Sequence, residues 1–219
     1  PHTRRASQLM IRELDRFEEL LADLLEISRH DAGVADLQSS NMDIRSCIES
    51  AMQQTEHLAK ELDVEIIANV PDTPVNVQAD SRRIERVLRN LLANAIDHSE
   101  GNPVTIDIGH TETAIAVAVT DSGVGLKDGQ EELVFNRFWR ADASRKRHSG
   151  GTGLGLAIAR EDAVLHGGTL DATGIPGVGS RFRLIIPREP GAPFGDEPLP
   201  LVVPHAPEVI DEESEEPQS

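Results

Sequence analysis

A glycine-rich stretch at residues 150–155 reads Gly-Gly-Thr-Gly-Leu-Gly and leads into an apolar, helix-like run. Glycine lets the backbone adopt positive φ and approach a ligand closely. The start of a helix offers free N–H groups and a positive dipole end to a phosphate. The stretch is neither a P-loop, because no Lys-Ser/Thr follows, nor a dinucleotide fingerprint. On its own, it is equally compatible with a tight turn packed against a helix.

Two asparagines, Asn90 and Asn94, lie four residues apart in an otherwise apolar helical pattern, so they share one helix face. Amides within such a stripe need hydrogen-bonding partners. Their oxygens also suit Mg²⁺, a hard cation that shares its ligand shell with phosphate oxygens and water. Capping or surface asparagines would give the same pattern, so the pair indicates a metal site only together with other motifs.

A third stretch, residues 121–125, reads Asp-Ser-Gly-Val-Gly and interrupts a predicted strand. The carboxylate of Asp121 can accept a hydrogen bond from an exocyclic amine. The glycines that follow allow the chain to turn around a flat ring. A simple acidic turn is the alternative interpretation.

The composition excludes several classes of protein. The 219 residues carry a net charge of −17, which argues against a nucleic-acid-binding protein, because such proteins present a basic face. The single cysteine, Cys47, excludes an internal disulfide and is typical of a reducing compartment. We expect it to be a small, half-buried hydrophobic residue rather than a nucleophile. No apolar run approaches the roughly 20 residues of a membrane-spanning helix, so we expect that this stretch of chain does not lie in a membrane.

Hydrophobic periodicity predicts the elements that would position these groups. Helices are expected over 6–30, 43–62, 81–98 and 152–166, with Asp43 and Asp80 near the starts of the second and third. Strands are expected at 64–70, 75–79, 104–108, 114–120, 169–172 and 180–186, with an edge strand within 36–42. Helices gathered against a mixed, largely antiparallel sheet make an α+β fold, a two-layer sandwich.

The two ends of the chain differ from this body. Met10, Leu14, Phe17, Leu21 and Leu24 form an a/d seam, which a lone helix cannot bury and which a four-helix bundle would cover. Residues 188–219 hold seven of the 13 prolines and nine acidic residues against one arginine. That composition predicts a disordered, solubilising tail.

Four stretches, taken in this order, resemble the motifs of the ATP-binding superfamily of gyrase, heat-shock chaperones, histidine kinases and mismatch-repair ATPases. They are an N-box at 83–95, a first glycine box at 121–125, an F-box at 135–140 and a second glycine box at 151–155. The leucine-rich run at 14–33 is similar to the second helix of the dimerisation hairpin of sensor histidine kinases. The likeness covers about residues 6–187, and within those kinases it is strongest to an actinobacterial group.

The resemblance implies three regions and a set of ligand-binding roles. Residues 1–33 would be the second helix of an incomplete dimerisation hairpin, 34–187 the ATP-binding catalytic domain and 188–219 the tail. Asp121 would bind the adenine amino group, and residues 140–150 would form a lid anchored by Phe135 and Phe138. The implied ATP-binding residues are Asn90, Asn94, Asp97, Asp121, Gly123, Gly125, Arg145, Lys146, Gly151, Thr152, Gly153, Leu154 and Gly155, with Asn90 and Asn94 holding Mg²⁺.

The sequence departs from the family pattern at two places. Many relatives carry a lysine three residues after the second N-box asparagine, where this chain has Asp97. The positive charge near the phosphates must therefore come from elsewhere, for example from Arg145, Lys146, Arg147 or His148 of the lid, which could reach the γ-phosphate. Asp97 could alternatively contact a ligand of the metal. None of the eight histidines stands in a His-Glu-x-x-Thr-Pro phosphoacceptor motif, so the resemblance places the acceptor upstream of residue 1 and predicts no self-phosphorylation by this stretch alone.

Three functions follow from the resemblance. The first is the catalytic portion of a sensor histidine kinase, which passes the γ-phosphoryl group of ATP to a histidine and thence to a response-regulator aspartate. It implies a homodimer through residues 6–30 and a cytoplasmic domain of a protein in the inner or plasma membrane. The second is an ATP hydrolase or clamp, which would need a general base where Asn90 stands. The third is a non-catalytic dimerisation module.

Overall fold

The computed structural model describes residues 2–33, 36–141, 152–195 and 197–202. Its helices are α1 (His2–Asp31), α2 (Ile44–Glu61), α3 (Ser81–His98), α4 (Gln130–Leu133) and α5 (Gly155–Leu165). Its strands are β1 (Ser40–Asp43), β2 (Ile66–Asn69), β3 (Asn76–Ala79), β4 (Val104–His110), β5 (Ala114–Asp121), β6 (Thr169–Ile175) and β7 (Gly179–Pro187).

Five strands form the main sheet in the order β2-β4-β5-β7-β6. Only β2 and β4 run parallel, because every other neighbouring pair in this sheet is antiparallel. Strands β1 and β3 pair separately as a short antiparallel ribbon. The predicted α+β fold with a mixed, largely antiparallel sheet is confirmed.

One hydrophobic core lies between the sheet and helices α2, α3 and α5. Alternate residues of β5 and β7 enter it, including Val117, Val119 and Phe182, as expected for strands with one face on a core. Phe182 meets Phe135 edge to face, with ring centroids 6.1 Å apart. That contact anchors the segment after α4, so Phe135 is a core aromatic.

The single thiol belongs to this core. Cys47 lies on α2 with 2% of its surface exposed. Burial raises its pKa to about 12, so it stays a neutral thiol at physiological pH. Cys47 is therefore a buried hydrophobic residue, more deeply enclosed than the sequence suggested.

His166 joins the end of α5 to the start of α3. Its Nδ1–H donates to the Asp162 carbonyl at 2.7 Å, and its Nε2 accepts the backbone N–H of Asp80 at 3.1 Å. Asp80 is itself the N-cap of α3. The imidazole is 2% exposed, and this burial lowers its pKa from 6.5. The folded state therefore favours the neutral imidazole over the protonated one.

We expect His166 to make folding sensitive to mild acid. Below about pH 6.5 His166 is protonated in the unfolded chain but stays neutral in the folded one. The free energy of unfolding therefore falls as the pH drops, by up to about 1.4 kcal/mol per pH unit. Proton NMR titration should give a pKa for His166 below that of an unfolded peptide. In His166→Gln, the unfolding free energy should decline less steeply between pH 6.5 and 5. A His166 pKa at or above 6.5 would contradict this expectation.

Helix α1 contacts the domain through its C-terminal end. Ile27 is buried against Leu154 and Ile158, and Leu20 packs beside them. The predicted seam, in contrast, is open: Met10, Leu14 and Phe17 each keep more than half of their surface exposed. Among the described residues, no helix is long and apolar enough to cross a membrane. The seam is therefore an uncovered apolar face on a helix whose other end is docked.

The chain beyond β7 differs from the expected disordered tail. Phe194 and Leu199 pack against the buried residues Ala114, Ala116 and Ile185, on the sheet face opposite the helices. Residues 188–195 and 197–202 therefore have a defined place, and for them the expectation of disorder is wrong. Local composition suggested disorder because it cannot reveal a sheet face elsewhere that accepts two isolated apolar side chains. The rest of the predicted tail, residues 203–219, lies outside the described residues.

Candidate functional site

One cavity opens between α3, the loop after β5 and the start of α5. Many of the implied ligand-binding residues line it, although they come from distant parts of the chain. Those residues are Asn90, Asn94, Asp97, Gly125, Thr152, Gly153 and Gly155. Trp139, Leu126 and Phe182 add apolar surface. The cavity thus combines flat apolar walls with amide, carboxylate and backbone groups.

Helix α3 supplies the amide side of the cavity. Its opposite face, which includes Leu88, Leu91 and Leu92, is fully buried and fixes the rotation of the helix. The Nδ2 group of Asn90 donates to the Gly155 carbonyl at 2.9 Å. This bond joins the N-box to the second glycine box, and it leaves Oδ1 as the Asn90 atom suited to accept or to coordinate.

Asp121 lies just behind the cavity wall. Its Oδ2 accepts the hydroxyl of Ser180 at 2.5 Å, and its Oδ1 accepts the backbone N–H of Gly123 at 3.0 Å. The residue is 1% exposed, and this burial raises the pKa of its carboxyl, although the two hydrogen bonds favour the charged form. Ser180 lines the cavity itself. A ligand amine would therefore meet a Ser180–Asp121 pair.

The glycines of the first glycine box are required by the backbone around them. A Cβ on Gly123 would lie 1.8 Å from the His98 carbonyl oxygen, and one on Gly125 would lie 1.8 Å from that of Ile175. Gly125 also adopts a left-handed φ of +66°. Both residues shape the cavity, but only Gly125 lines it.

Gly125→Ala is expected to destabilise the fold strongly, because the new methyl group would overlap backbone atoms that cannot move away. Gly129→Ala is the matched control, since Gly129 has a similar φ of +79° with nothing within 4 Å of its added Cβ. The control variant should lose only the free energy of placing alanine at a left-handed φ, which is about 1 kcal/mol. Denaturant unfolding should show Gly125→Ala losing at least about 2 kcal/mol more. Equal losses would mean that the backbone contact has no energetic weight.

The second glycine box begins α5 later than predicted. We expected the helix from Thr152, but it starts at Gly155, because Gly153 adopts a left-handed φ of +76° that a helix cannot contain. No side chain in the described part of the chain caps α5, and the first turn of this helix holds no acidic residue. Its first N–H groups therefore suit an anion. The Leu154 side chain is fully buried, and its backbone N–H already donates to Thr152 Oγ1 at 3.2 Å.

One hydrogen bond joins the two segments that flank the predicted lid. The Phe138 N–H donates to the Gly153 carbonyl at 2.9 Å. Phe138 has a strained φ of +63°, and 60% of its surface is exposed, so its ring is not the core anchor that we expected. The predicted phosphate ligands Arg145, Lys146 and Gly151, and the alternatives Arg147 and His148, lie outside the described residues.

A buried charge cluster joins three helices beside the cavity. Asp162 of α5, which is fully buried, accepts from Arg83 Nη1 at 2.9 Å and from Arg86 Nε at 2.9 Å. Glu26 of α1 contacts the same two arginines at 3.4 and 3.2 Å, and His30 Nε2 lies 3.5 Å from Asp162. The cluster holds α1, α3 and α5 together.

Sequence reasoning missed four polar residues of the cavity: Asp23, Arg89, His98 and Ser180. Asp23 Oδ2 accepts the Thr152 hydroxyl at 3.1 Å, and burial raises its pKa. Nothing in the α1 pattern separates this acid from the other outward-facing ones. Ser180 did leave a signal, because it is the one polar residue among the core-facing positions 180, 182, 184 and 186 of β7.

The groups in the described part of the chain do not form a complete metal site by themselves. Within the described ranges, no three His, Cys, Asp or Glu side chains are grouped to hold a metal ion. Among the described residues, Asn90 and Asn94 line the cavity, and each side chain has one amide oxygen. That donor set fits a Mg²⁺ ion that takes most of its ligands from phosphate and water.

Comparison with known proteins identifies the family. The sequence model of the histidine kinase-, DNA gyrase B- and HSP90-like ATPases matches residues 79–190. The chain belongs to this ATPase family. All the cavity residues from α3, the loop after β5 and the start of α5 fall inside the match. Helix α1 with Asp23 lies outside it.

Individual proteins of this family that are similar to the chain are histidine kinases. The sensor histidine kinase MtrB of Mycolicibacterium paratuberculosis is 55% identical over 201 residues, which cover 92% of this chain and 36% of that protein. The chain thus spans about a third of the relative's length. The catalytic domain of the histidine kinase ThkA aligns with a TM-score of 0.62 at 26% identity, covering 70% of this chain and 97% of that domain.

A second solved structure matches the fold over more of this chain. Full-length ShkA in complex with AMPPNP aligns with a TM-score of 0.70 at 24% identity, covering 84% of this chain and 38% of that one. These structures share the α+β ATPase fold. The predicted resemblance to sensor histidine kinases is confirmed.

Proposed function

We propose that this chain is the ATP-binding catalytic portion of a sensor histidine kinase, which transfers the γ-phosphoryl group of Mg-ATP to a histidine on a dimerisation hairpin. The observation that carries the proposal is the Asn90–Gly155 hydrogen bond. It brings the amide face of α3 against the glycine-bounded start of α5, beside the Ser180–Asp121 pair. A polar amide, an open helix start and a buried carboxylate thus converge on one cavity.

Each wall of the cavity has a part in binding ATP. Asp121 and Ser180 accept the adenine amine, and Leu126, Trp139 and Phe182 supply apolar contact for the ring. The first N–H groups of α5 bind phosphate oxygens. Asn90 Oδ1 and Asn94 hold Mg²⁺, which neutralises phosphate charge when it is bound. Asp97 lines the same wall and suits a supporting contact to the water shell of the metal.

Position 90 favours phosphoryl transfer over hydrolysis. Activating water requires a general base, and a neutral amide cannot take up that proton near neutral pH. A histidine nitrogen attacks as the neutral imidazole and needs no strong base. Catalysis then rests on positioning and on charge neutralisation. The hydrolase and clamp alternatives stay weaker unless the chain turns over ATP rapidly.

Calorimetric titration with Mg-ATP tests the binding half of the proposal. We expect saturable binding that weakens when Mg²⁺ is replaced by EDTA, together with slow release of phosphate in a coupled assay. Failure to bind would support the alternative of a non-catalytic dimerisation module. Brisk release of phosphate by the chain alone would favour the hydrolase.

The uncovered seam of α1 is proposed to pair with the other helix of the hairpin and with a second copy. Leu14, Leu21 and Leu24 are each more than 40% exposed on this face. The whole protein would pass its phosphoryl group to a response regulator and would act at the cytoplasmic side of a membrane. Light scattering should show self-association that Leu14→Glu with Leu21→Glu abolishes, whereas a monomer at all concentrations would contradict the pairing of two copies.

A further inference from the structure

The sheet face opposite the helices is covered by the chain's own C-terminal segment. Along β5, bulky residues point into the core and Ala114, Ala116 and Ala118 point the other way. An outer antiparallel face would normally meet water. Here the three alanines are fully buried, so a covering group is required. Their small side chains form a shallow trough on this face.

We propose that this trough is a docking surface for an extended peptide and that residues 188–195 and 197–202, here called the strap, are its intramolecular ligand. Phe194 and Leu199 supply the apolar contacts, on Ala114, Ala116 and Ile185. The strap backbone also approaches closely, since a Cβ on Gly109 would lie 2.3 Å from the Pro198 carbonyl oxygen. Glycine at position 109 therefore leaves room for the strap.

Arg183 is the polar anchor of the trough. It projects from β7 and is 4% exposed. Its Nη1 donates to Glu197 Oε2 at 2.5 Å and to the Leu199 carbonyl at 2.8 Å, both within the strap. Its Nη2 contacts Asp171 of β6 at 3.3 Å. The strap therefore supplies the acceptors for Nη1 of Arg183, whereas the sheet supplies an acceptor for Nη2.

Arg188 fixes the start of the strap. Its backbone N–H donates to the Thr113 carbonyl at 2.8 Å, and its carbonyl accepts the Gln78 N–H at 2.9 Å. Its guanidinium donates to the carbonyls of Thr111 at 2.8 Å and Asn76 at 2.6 Å. This residue ties the ribbon of β1 and β3 to the β4–β5 turn, so the strap joins parts of the fold that the main sheet leaves separate.

Two apolar strap contacts can be tested in the full chain. Phe194→Ala with Leu199→Ala should lower the midpoint of thermal unfolding by about 5–10 °C, because two partly buried side chains are truncated. Val202→Ala is the matched control, since Val202 lies in the same segment and is 47% exposed. It should leave the midpoint within about 1 °C. Equal midpoints for the double variant and the control would overturn the proposal.

Docking in trans gives a second, independent readout. A chain ending at Pro187 should bind a synthetic 188–202 peptide with measurable affinity and regain lost thermal stability. The same peptide with Glu197→Ala should bind at least about tenfold more weakly, because it loses a charge-assisted bond to Arg183. If the shortened chain does not fold, the full-chain variants decide. An undiminished midpoint without peptide binding, or a dimer that depends on residues 188–202, would contradict an intramolecular strap.

Discussion

Asp121→Asn is expected to weaken the binding of Mg-ATP by about 100-fold while leaving the fold intact. Asparagine keeps an oxygen for the Gly123 N–H, and its NH₂ can donate to Ser180 Oγ, whose hydroxyl rotates to accept it. The substitution removes the negative charge that favours an amine at this position. A hydrogen bond to a charged group contributes about 1.5–3 kcal/mol, which corresponds to a 10- to 150-fold change in Kd.

Specificity separates this role from a purely structural one. A carboxylate should prefer the amine of adenine to the carbonyl of guanine, so the parent chain should bind ATP more tightly than GTP. In Asp121→Asn, the ratio of the two Kd values should move towards one. Calorimetry on both proteins gives this ratio, and thermal unfolding checks that the fold persists. An unchanged ratio with a normal fold would remove Asp121 from the adenine contact.

Asp162→Ala is expected to cost about 3–5 kcal/mol of folding free energy. The substitution leaves the guanidinium groups of Arg83 and Arg86 inside the three-helix junction with Glu26 as their shared partner, while Asp80 lies 3.8 Å from Arg83. Removing one partner of a buried ion pair strands an uncompensated charge, which is the costly case. That loss is a large part of the 5–15 kcal/mol that stabilises a typical domain. Denaturant unfolding measures it directly.

An exposed ion pair provides the control for this substitution. Glu132 accepts from Arg160 at 2.7 Å, but its side chain is 77% exposed. Glu132→Ala should therefore change stability by less than about 1 kcal/mol. If both variants lost the same small amount, the Asp162 cluster would have no special part in holding α1, α3 and α5 together.

Local signals were enough to predict much of the framework. Helix α3 occupies the predicted bounds 81–98, because a capping aspartate and a strong apolar stripe agree there. The antiparallel pair β4–β5 also follows from alternation and a polar turn. The cavity itself could be anticipated because Asn90, Gly125 and Gly155 belong to motifs whose joint order is specific, although each motif alone is ambiguous.

Contacts that depend on distant partners could not be predicted in this way. Arg83 and Asp162 are 79 positions apart, and each looks like an ordinary surface charge in its own helix. Asp23 reaches the cavity only because α1 docks on Leu154 and Ile158. The strap reads as a disordered tail for the same physical reason, since Phe194 and Leu199 gain burial only from a sheet face that local composition does not show.

The most direct test of the account is phosphoryl transfer from γ-labelled ATP to a separate acceptor. The acceptor is the sensor histidine kinase MtrB of Mycolicibacterium paratuberculosis, with asparagine at the position that aligns with Asp121 so that its own labelling is suppressed. Mixed with this chain, the acceptor should gain acid-labile, base-stable phosphate. With ATP well below the parent Kd, Asp121→Asn in this chain should lower the rate of labelling by about 100-fold. Release of free phosphate from ATP without any label on the acceptor would contradict the proposal that this chain is the catalytic portion of a histidine kinase.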